Sequence, residues 1–465
     1  MRSATLDDDQ TFARTTGATL VPGNSIRILT DGRENYPAWL DAIAAATQSI
    51  HLETYIIHGD SVGLAFAEAL AAKAREGVHV RVLVDWFGSL KFGTRHALRV
   101  LSRGGVDVRR FNPPRFDSLF GWVSRDHRKI LTIDGHTGFV SGLCIGEAWV
   151  GDAERHIEPW RDTGVVIVGP AVADINRAFA DTWAMAGAPV PDADLRDRAS
   201  IPPAGDVAMR VIVGSPSTGS LYRFDQLIAA AATQTLWLTD AYFVATSLYV
   251  QALKSAVKDG VDVRLLVPGA SDVPLVRSLS RAGYRPLLES GVRVFEWNGS
   301  MLHAKTAVAD SRWARVGSSN LNLTSWLGNW ELDVAVDDAR FAVAMEQMFL
   351  NDLSHATEVV LTNHRNVRLS VQPEQRHVGP SGAKQGRGRR AAAGAMGIGS
   401  AAAASITNRR ELGPAEAQVM AAAGVFLLLV MGVVWYWPRL FAIPAGVLLG
   451  LAAVSLLLRA AQLRR

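Results

Sequence analysis

Short apolar segments alternate with amphipathic helical segments through the first three quarters of the chain. Runs such as Gly77–Asp85 and Gly260–Pro268 are bounded by glycine and polar residues, which is typical of buried strands. Each run follows a stretch in which apolar residues recur with helical spacing, Leu64–Arg75 and Tyr249–Lys258. Strands and helices that alternate in this way predict an α/β fold with mostly covered sheets.

The strand pattern occurs twice, which indicates an internal repeat. The matched segments are Gly77–Asp85 with Gly260–Pro268, Gly105–Asn112 with Gly291–Asn298 and, more loosely, Ser49–Tyr55 with Thr235–Tyr242. One member of each pair lies in each half of the region. We therefore predict two similar lobes with mixed sheets flanked by helices, a first lobe over residues 25–200 and a second over 201–362, preceded by an N-terminal extension over 1–24.

The hydrophobic pattern changes after residue 362. Residues 363–413 are rich in Gly, Ala and Arg and have no sustained hydrophobic period, which predicts a flexible basic linker. Val419–Trp437 and Leu440–Leu458 are then two uncharged runs of 19 residues each. Because about 20 apolar residues cross a bilayer, we predict a C-terminal transmembrane helical hairpin over 414–465. A helical hairpin buried in a soluble core is the alternative.

Basic residues flank the two apolar runs unevenly. Two arginines precede the runs and three follow them, whereas the turn between the runs holds one; they are Arg409, Arg410, Arg459, Arg464, Arg465 and, in the turn, Arg439. Basic residues concentrate on the cytoplasmic side of membrane proteins. The distribution therefore predicts a location at the cell inner membrane, with the lobes facing the cytoplasm.

The formal net charge of +4 is distributed unevenly along the chain. Residues 363–465 hold 13 Lys/Arg against 3 Asp/Glu, a net of +10, which leaves −6 for residues 1–362. A nucleic-acid binder needs positive charge where the phosphates lie, so no nucleic acid is expected as a partner of the lobes. The single cysteine, Cys144, excludes an intramolecular disulfide and a cysteine-rich zinc site.

Two copies of one motif carry the candidate chemistry. The first copy consists of His127, Lys129 and Asp134, and the second of His303, Lys305 and Asp310. On a strand, a histidine and a lysine two positions apart point to the same face. A neutral imidazole can attack phosphorus, and an ordinary pKa of about 6.5 lets a second imidazole donate a proton near neutral pH. A lysine supplies positive charge where phosphoryl oxygens gather negative charge, so the pair predicts a phosphodiester-cleaving site.

The six motif residues form the predicted catalytic set, but the two aspartates suggest a structural role within it. Asp134 and Asp310 lie seven positions after their histidines and in segments typical of turns at strand ends. Asp162 and Glu331 are better candidates for orienting an imidazole, because a carboxylate that accepts the second ring N–H fixes the tautomer. Asp162 follows the first histidine by 35 positions and Glu331 the second by 28. Ordinary structural carboxylates are the alternative.

Small residues follow each motif at a matched distance. Cys144 in Ser141-Gly-Leu-Cys144 and Asn320 in Gly317-Ser-Ser-Asn320 both lie 17 positions after their histidines. Backbone N–H groups there, and the Asn320 amide, are candidates for phosphate contact; plain turns are the alternative. The first half also has an apolar, turn-rich insertion, Pro113–Val123, which fits a packed surface loop or a lid or membrane-dipping rim beside the site.

These residues resemble the paired HKD motifs of the phospholipase D superfamily over residues 25–360, and within it the chain is most similar to the bacterial cardiolipin synthases. The similar stretches are Ile26–Ser89, Arg125–Gly151, Trp160–Val172 and Met301–Val334. They include Glu53-Thr-Tyr55, His127-Arg-Lys129, Trp160-Arg-Asp-Thr163, Leu302-His-Ala-Lys305, Gly317-Ser-Ser-Asn-Leu321 and Asn329-Trp-Glu331.

The resemblance implies a two-step phosphatidyl transfer without a metal or other cofactor. One histidine attacks the phosphorus of a phosphatidylglycerol, and the other protonates the departing glycerol. A second phosphatidylglycerol then takes the phosphatidyl group from the phosphohistidine, giving cardiolipin. Carried onto the matching positions, His127 and His303 are the nucleophile and the acid/base, with His127 favoured as nucleophile, and Lys129 and Lys305 hold the phosphate. The expected partners are anionic phospholipid and the membrane.

Two features depart from the family pattern. The first half has Ser141-Gly-Leu-Cys144 where the family usually has Gly-Gly-x-Asn, and the candidate membrane spans follow the catalytic region. A phospholipase D or another headgroup exchanger, which uses water or a small alcohol as acceptor, is therefore an alternative. A nuclease is disfavoured by the charge of the lobes, and a non-catalytic scaffold by the intact motifs.

Overall fold

The computed structural model describes residues 9–362, apart from 91–92, 115–122, 217 and 245, together with residues 366–369 and residue 431. The first lobe, preceded by α1 (Asp9–Thr16), contains β1 (Val21–Thr30), α2 (Asp31–Ala45), β2 (Ser49–Thr54), α3 (Ser61–Arg75), β3 (His79–Asp85), α4 (Thr94–Arg103), β4 (Asp107–Phe111), β5 (Lys129–Ile133), β6 (Thr137–Ser141), β7 (Thr163–Val168) and α5 (Val172–Met185).

The second lobe repeats this element order with one added short helix and two added strands. It contains β8 (Val207–Gly214), α6 (Ser220–Ala231), β9 (Thr235–Thr239), α7 (Ser247–Lys258), β10 (Asp262–Pro268), α8 (Pro274–Leu288), β11 (Arg293–Trp297), β12 (Thr306–Ala309), β13 (Trp313–Gly317), α9 (Leu323–Leu327), β14 (Glu331–Asp337), α10 (Ala339–Ser354), β15 (Ala356–Thr362) and β16 (Asn366–Leu369). The strands and helices predicted from the repeated segments are confirmed.

The two lobes share one continuous sheet of 16 strands in the described part of the chain. The first lobe contributes the order β4-β3-β2-β5-β6-β7-β1, and the second continues with β8-β14-β13-β12-β9-β10-β11-β15-β16. Parallel pairs such as β2 with β3 lie beside antiparallel pairs such as β2 with β5, so the predicted mixed sheet is confirmed. The lobes join where β1 pairs antiparallel with β8, and this pairing brings the two motif copies together.

Helices cover both faces of the sheet, which explains why strand β2 is buried along its whole length. One hydrophobic cluster belongs to both lobes, because Phe179 and Trp183 of α5 share it with Met345 and Phe349 of α10. Burial of apolar surface between α5 and α10 therefore fixes the lobes relative to each other.

Part of the sequence prediction lies outside the described residues. The predicted segments outside them are the linker beyond the described strands, the insertion from 115 to 122, and both apolar runs of the tail apart from residue 431. Among the helices that the structure describes, none combines the length and apolar character needed to span a bilayer. At the other end of the chain, α1 lies within the predicted N-terminal extension and packs Phe12 against Phe224 of the second lobe.

Candidate active site

The two histidines lie where the lobes meet, in extended segments immediately before β5 and β12. The prediction that each lies within a strand is therefore wrong by two residues for His127 and by three for His303. The backbone N–H of His127 donates to the carbonyl of Trp330 in the second lobe at 2.9 Å. The N–H of His303 donates to the carbonyl of Arg161 in the first lobe at 2.7 Å. Each histidine is thus fixed by its main chain to a segment of the other lobe.

Each imidazole is paired with a carboxylate from the opposite lobe. Nδ1 of His127 lies 3.0 Å from both carboxylate oxygens of Glu331, and Nδ1 of His303 lies 2.8 Å from Oδ2 of Asp162. Asp162 follows His127 in the sequence, yet the structure pairs it with the other histidine. Because a carboxylate accepts, Nδ1 carries the proton and the Nε2 lone pair of each neutral ring is left for chemistry.

Further donors hold the two carboxylates in place. Ser318 Oγ donates to Glu331 at 2.6 Å, and the Trp149 indole N–H donates to Asp162 at 2.9 Å. Burial acts to raise the pKa of both carboxyls, but the facing histidine and these hydrogen bonds outweigh it and hold each pKa below its ordinary value. Both carboxylates are therefore ionised when they orient the imidazoles.

The two lysines lie buried beside their histidines and contact a tyrosine each. Lys129 Nζ donates to the carbonyl of His127 at 2.6 Å, and Lys305 Nζ donates to the carbonyl of His303. Their ammonium groups lie 5.8 and 5.9 Å from the ring centroids of Tyr55 and Tyr242, respectively. Burial lowers the pKa of Lys305 to about 8. The charge of Lys129 acts in the same direction and that of Asp162 in the opposite one. The two ammonium groups thus share one electrostatic environment, as a phosphate clamp requires.

The surroundings of the two imidazoles differ. Trp149, Trp160 and Tyr242 surround His303 with centroid distances of 5.5, 5.6 and 5.8 Å. Its side chain is 6% exposed, against 15% for His127. Burial lowers the pKa of His303 to about 3, with Lys305 acting in the same direction, and burial also lowers the pKa of His127. Both imidazoles are neutral at pH 7 before substrate binds.

Asp134 and Asp310 do not contact the imidazoles, which corrects their inclusion in the catalytic set. Each lies at the end of β5 or β12 that is remote from the histidine, with φ of 51° and 54° in a turn. Asp134 accepts hydrogen bonds from the backbone N–H groups of Thr47, Gln48 and Ser49. Asp310 does the same for residues 233–235. The predicted turns are confirmed, and these aspartates anchor the chain before β2 and β9.

The candidate phosphate-contact residues lie beside the motifs. Cys144 is buried, and burial raises the pKa of its thiol, while the charges of Lys129 and Lys305 act in the opposite direction. Asn320 is 4% exposed, and its Nδ2 lies 3.4 Å from Ser325 Oγ. Its Oδ1 has no hydrogen-bond partner among the described residues. Direct contact of Asn320 with phosphate stays a prediction.

Arg128, between the motif histidine and lysine, has no role in the sequence-based prediction. Arg128 is fully buried, and its guanidinium donates to the carbonyls of Glu331 and Gly214 in the second lobe at 3.2 and 3.3 Å. Glu53 lies 3.7 Å away and provides the opposite charge. The second motif copy has Ala304 at this position. This difference between the copies was the only sequence signal for the cross-lobe contact.

Comparison with known proteins shows which family this chain matches. A family described as "Cardiolipin synthase, PLD-like domain" matches residues 39–181 and 225–353. The cardiolipin synthase of Halalkalibacterium halodurans is 33% identical over 345 residues, which cover 73% of this chain and 68% of the relative. Cardiolipin synthase A of Pseudomonas entomophila is 33% identical over 364 residues, covering 75% and 72%.

Solved structures share the fold at much lower sequence identity. A phosphatidylserine synthase from Haemophilus influenzae Rd KW20 is 15% identical with a TM-score of 0.59, covering 76% of this chain and 92% of that one. A polyphosphate kinase from Porphyromonas gingivalis is 16% identical with a TM-score of 0.51, covering 82% and 54%. At this level of identity the likeness concerns the fold alone.

Proposed function

Because the chain belongs to the family of cardiolipin synthases with a phospholipase D-like domain and is a phosphatidyltransferase of that kind, we propose that it joins two phosphatidylglycerol molecules into cardiolipin and glycerol. The observation that carries this proposal is the crossed pairing of the imidazoles, each held by a carboxylate of the other lobe beside a buried lysine. Two imidazoles, each oriented by its own carboxylate, suit a reaction in two steps.

In the first step, Nε2 of His127 attacks the phosphorus of a phosphatidylglycerol. The bond between phosphorus and the headgroup glycerol breaks, and His303 gives its Nε2 proton to the departing oxygen. Although burial and Lys305 lower the pKa of His303, the anionic phosphate between the lysines offsets their charge and favours a protonated His303 in the complex. The greater exposure of His127, 15% against 6%, suits the attacking group.

In the second step, the phosphatidyl group passes from the histidine to a second lipid. A headgroup hydroxyl of another phosphatidylglycerol gives its proton to His303, and the resulting oxygen attacks the phosphorus. The phosphorus–nitrogen bond to His127 breaks, and cardiolipin forms. His303 regains the proton that it gave up. The complete cycle therefore consumes no net proton and releases one glycerol. Lys129 and Lys305 stabilise the charge on the phosphoryl oxygens in both steps.

We place this reaction at the cell inner membrane, with the lobes on the cytoplasmic side. The support is the sequence of the tail, whose two uncharged runs are flanked by basic residues. The donor and acceptor are then both lipids of the membrane to which the chain is attached.

The proposal is tested by giving the purified full chain phosphatidylglycerol that is labelled in both its headgroup glycerol and its acyl chains. We expect labelled cardiolipin and free glycerol in equal amounts, and neither product from a His303→Ala protein prepared in the same way. Phosphatidic acid in place of cardiolipin would identify a phospholipase D. Cleavage of DNA or RNA without lipid turnover would exclude phosphatidyl transfer altogether.

We expect kcat/KM to fall above about pH 8, by about tenfold per pH unit. The physical reason is the lowered pKa of Lys305, about 8, since the ammonium is charged below this pH and loses its attraction for phosphate above it. The measurement is the pH profile of kcat/KM for phosphatidylglycerol from about pH 6 to about pH 10, which spans the pKa of Lys305, about 8.

Lys305→Arg is the matched control, because a guanidinium keeps its charge up to about pH 12. This variant should have a lower maximal rate, since the guanidinium differs in shape, and no alkaline decline near pH 8. An unchanged alkaline decline in Lys305→Arg would show that another group causes it.

A further inference from the structure

The most exposed large apolar side chains lie mainly at one end of the sheet. Seven of them, between 39% and 67% exposed, belong to segments at the end of the sheet that holds the histidines. We call these seven the apolar ring: Leu90, Val123, Val150, Ile157, Met185, Leu248 and Leu327. Among the described residues, the turns at the opposite end, where Asp134 and Asp310 lie, hold no side chain of this kind.

Two members of the ring belong to the loop that walls His303. Val150 is 46% and Ile157 44% exposed, and a β-bridge between residues 152 and 157 shapes the loop between them. Trp149 and Trp160 of the same loop contact the His303 ring. The outer side of this loop therefore exposes two large apolar side chains among charged and polar residues, while its inner side forms the site.

Three further members come from the rest of the first lobe. Val123 lies four positions before His127. Leu90 follows β3, whose last residue, Asp85, accepts a hydrogen bond from the backbone of the segment that carries His127. Met185 ends α5, the helix that returns from β7 to the histidine end of the sheet, and it is 56% exposed.

The second lobe contributes the two remaining members. Leu248, 67% exposed, lies in the first turn of α7, shortly after Tyr242, whose ring contacts His303. Leu327 ends α9, two positions before Asn329, whose amide donates to Glu331. Both lobes thus carry apolar side chains around the site that they form together.

We propose that the apolar ring is a bilayer-docking surface, which inserts into a phospholipid membrane and lets lipid pass from the bilayer to the histidines. This inference rests on the proposed function, because it takes the substrate to be a membrane lipid. A protein partner on the same ring would cover the two histidines, which the lipid must reach. Single apolar side chains between polar neighbours, such as Ile157 between His156 and Glu158, suit shallow insertion at an interface.

The first test compares two substrates in the full chain. One variant combines Val150→Ser, Ile157→Ser and Leu248→Ser, and the control combines Val343→Ser with Val360→Ser, which removes exposed apolar side chains from the first half of α10 and from β15, away from the histidine end of the sheet. On long-chain phosphatidylglycerol in vesicles we expect the ring variant to lose at least about tenfold in rate and the control to lose less than about twofold. On short-chain phosphatidylglycerol dispersed as monomers, all three proteins should be alike within about twofold.

Two results would overturn the docking surface. An unchanged rate on vesicles would show that the ring does not engage the bilayer, and an equal loss on both substrates would show that it acts on the chemistry or the fold. Failure of the wild-type chain to turn over either substrate would refute the proposed function instead. The two failures are therefore distinguishable.

The second test does not depend on turnover. The sole cysteine, Cys144, is buried, so Leu248→Cys provides a single exposed thiol for a fluorescent label. In vesicles whose lipids carry a quencher on the acyl chain, we expect quenching of the label at 248 and little quenching at the control position, Val343→Cys, in the first half of α10. Equal quenching at both positions, or at neither, would contradict docking through the ring.

Discussion

Replacing either His127 or His303 with alanine should abolish cardiolipin formation, with a loss of at least about 10⁴-fold in kcat. The two imidazoles have separate tasks, attack on phosphorus and transfer of a proton, and each is held by its own carboxylate. One ring therefore cannot replace the other. The loss is measured with labelled phosphatidylglycerol, on protein whose unfolding transition matches that of the wild type. Substantial transfer by either variant would refute the shared site.

The two histidine variants also assign the roles. A phosphatidyl ester of p-nitrophenol has a leaving group that departs without a proton, so it needs the nucleophile but not the acid. With His127 as the attacking group, His303→Ala should release one nitrophenolate per active site in a burst, and His127→Ala should release none. The opposite pattern would make His303 the nucleophile and leave the two-histidine mechanism intact.

Replacing either orienting carboxylate should lower activity nearly as much as replacing a histidine. Each replacement should impair the histidine of the opposite lobe. We expect Glu331→Gln and Asp162→Asn each to lower kcat by about 10²- to 10⁴-fold, because an amide no longer favours the Nδ1–H tautomer or stabilises the imidazolium. Since Glu331 holds His127 and Asp162 holds His303, Glu331→Gln should lose the nitrophenolate burst and Asp162→Asn should keep it.

Asp134→Asn is the matched control for these variants. It removes a carboxylate of the motif itself, but one that accepts hydrogen bonds from the backbone before β2 at the remote end of β5. The folded fraction of this variant should retain the burst. If the carboxylates served the histidine of their own lobe, the burst would be lost in Asp162→Asn and kept in Glu331→Gln, which contradicts the crossed pairing.

The crossed pairing means that neither lobe contains a working half of the site. His127 belongs to the first lobe, but the carboxylate that orients it, Glu331, belongs to the second. In the same way, Asp162 of the first lobe orients His303 of the second. Arg128 strengthens this dependence by donating to main-chain carbonyls of the second lobe. The pairing of β1 with β8 and the core between α5 and α10 therefore determine the site geometry, although they contain none of the reacting groups.

Much of the fold and the chemistry was predictable from the sequence. The repeated segments predicted β3, β4, β10 and β11 because a buried strand shows itself in a local run of apolar residues. The two motif copies indicated imidazoles and lysines acting on a phosphodiester, and the chain's family agrees with that prediction. The turns at Asp134 and Asp310 were equally local, and both are present.

Other features depend on contacts between residues that are distant in the chain, and only the tertiary structure decided them. The imidazoles and their carboxylates are separated by 204 and 141 positions, so no local pattern shows which belongs to which. The aromatic walls of His303 and the apolar ring arise in the same way, from loops that the shared sheet brings to one end. The sequence by itself determined which groups act; the antiparallel joining of the lobes decided their partners, because it brings each motif against the opposite lobe.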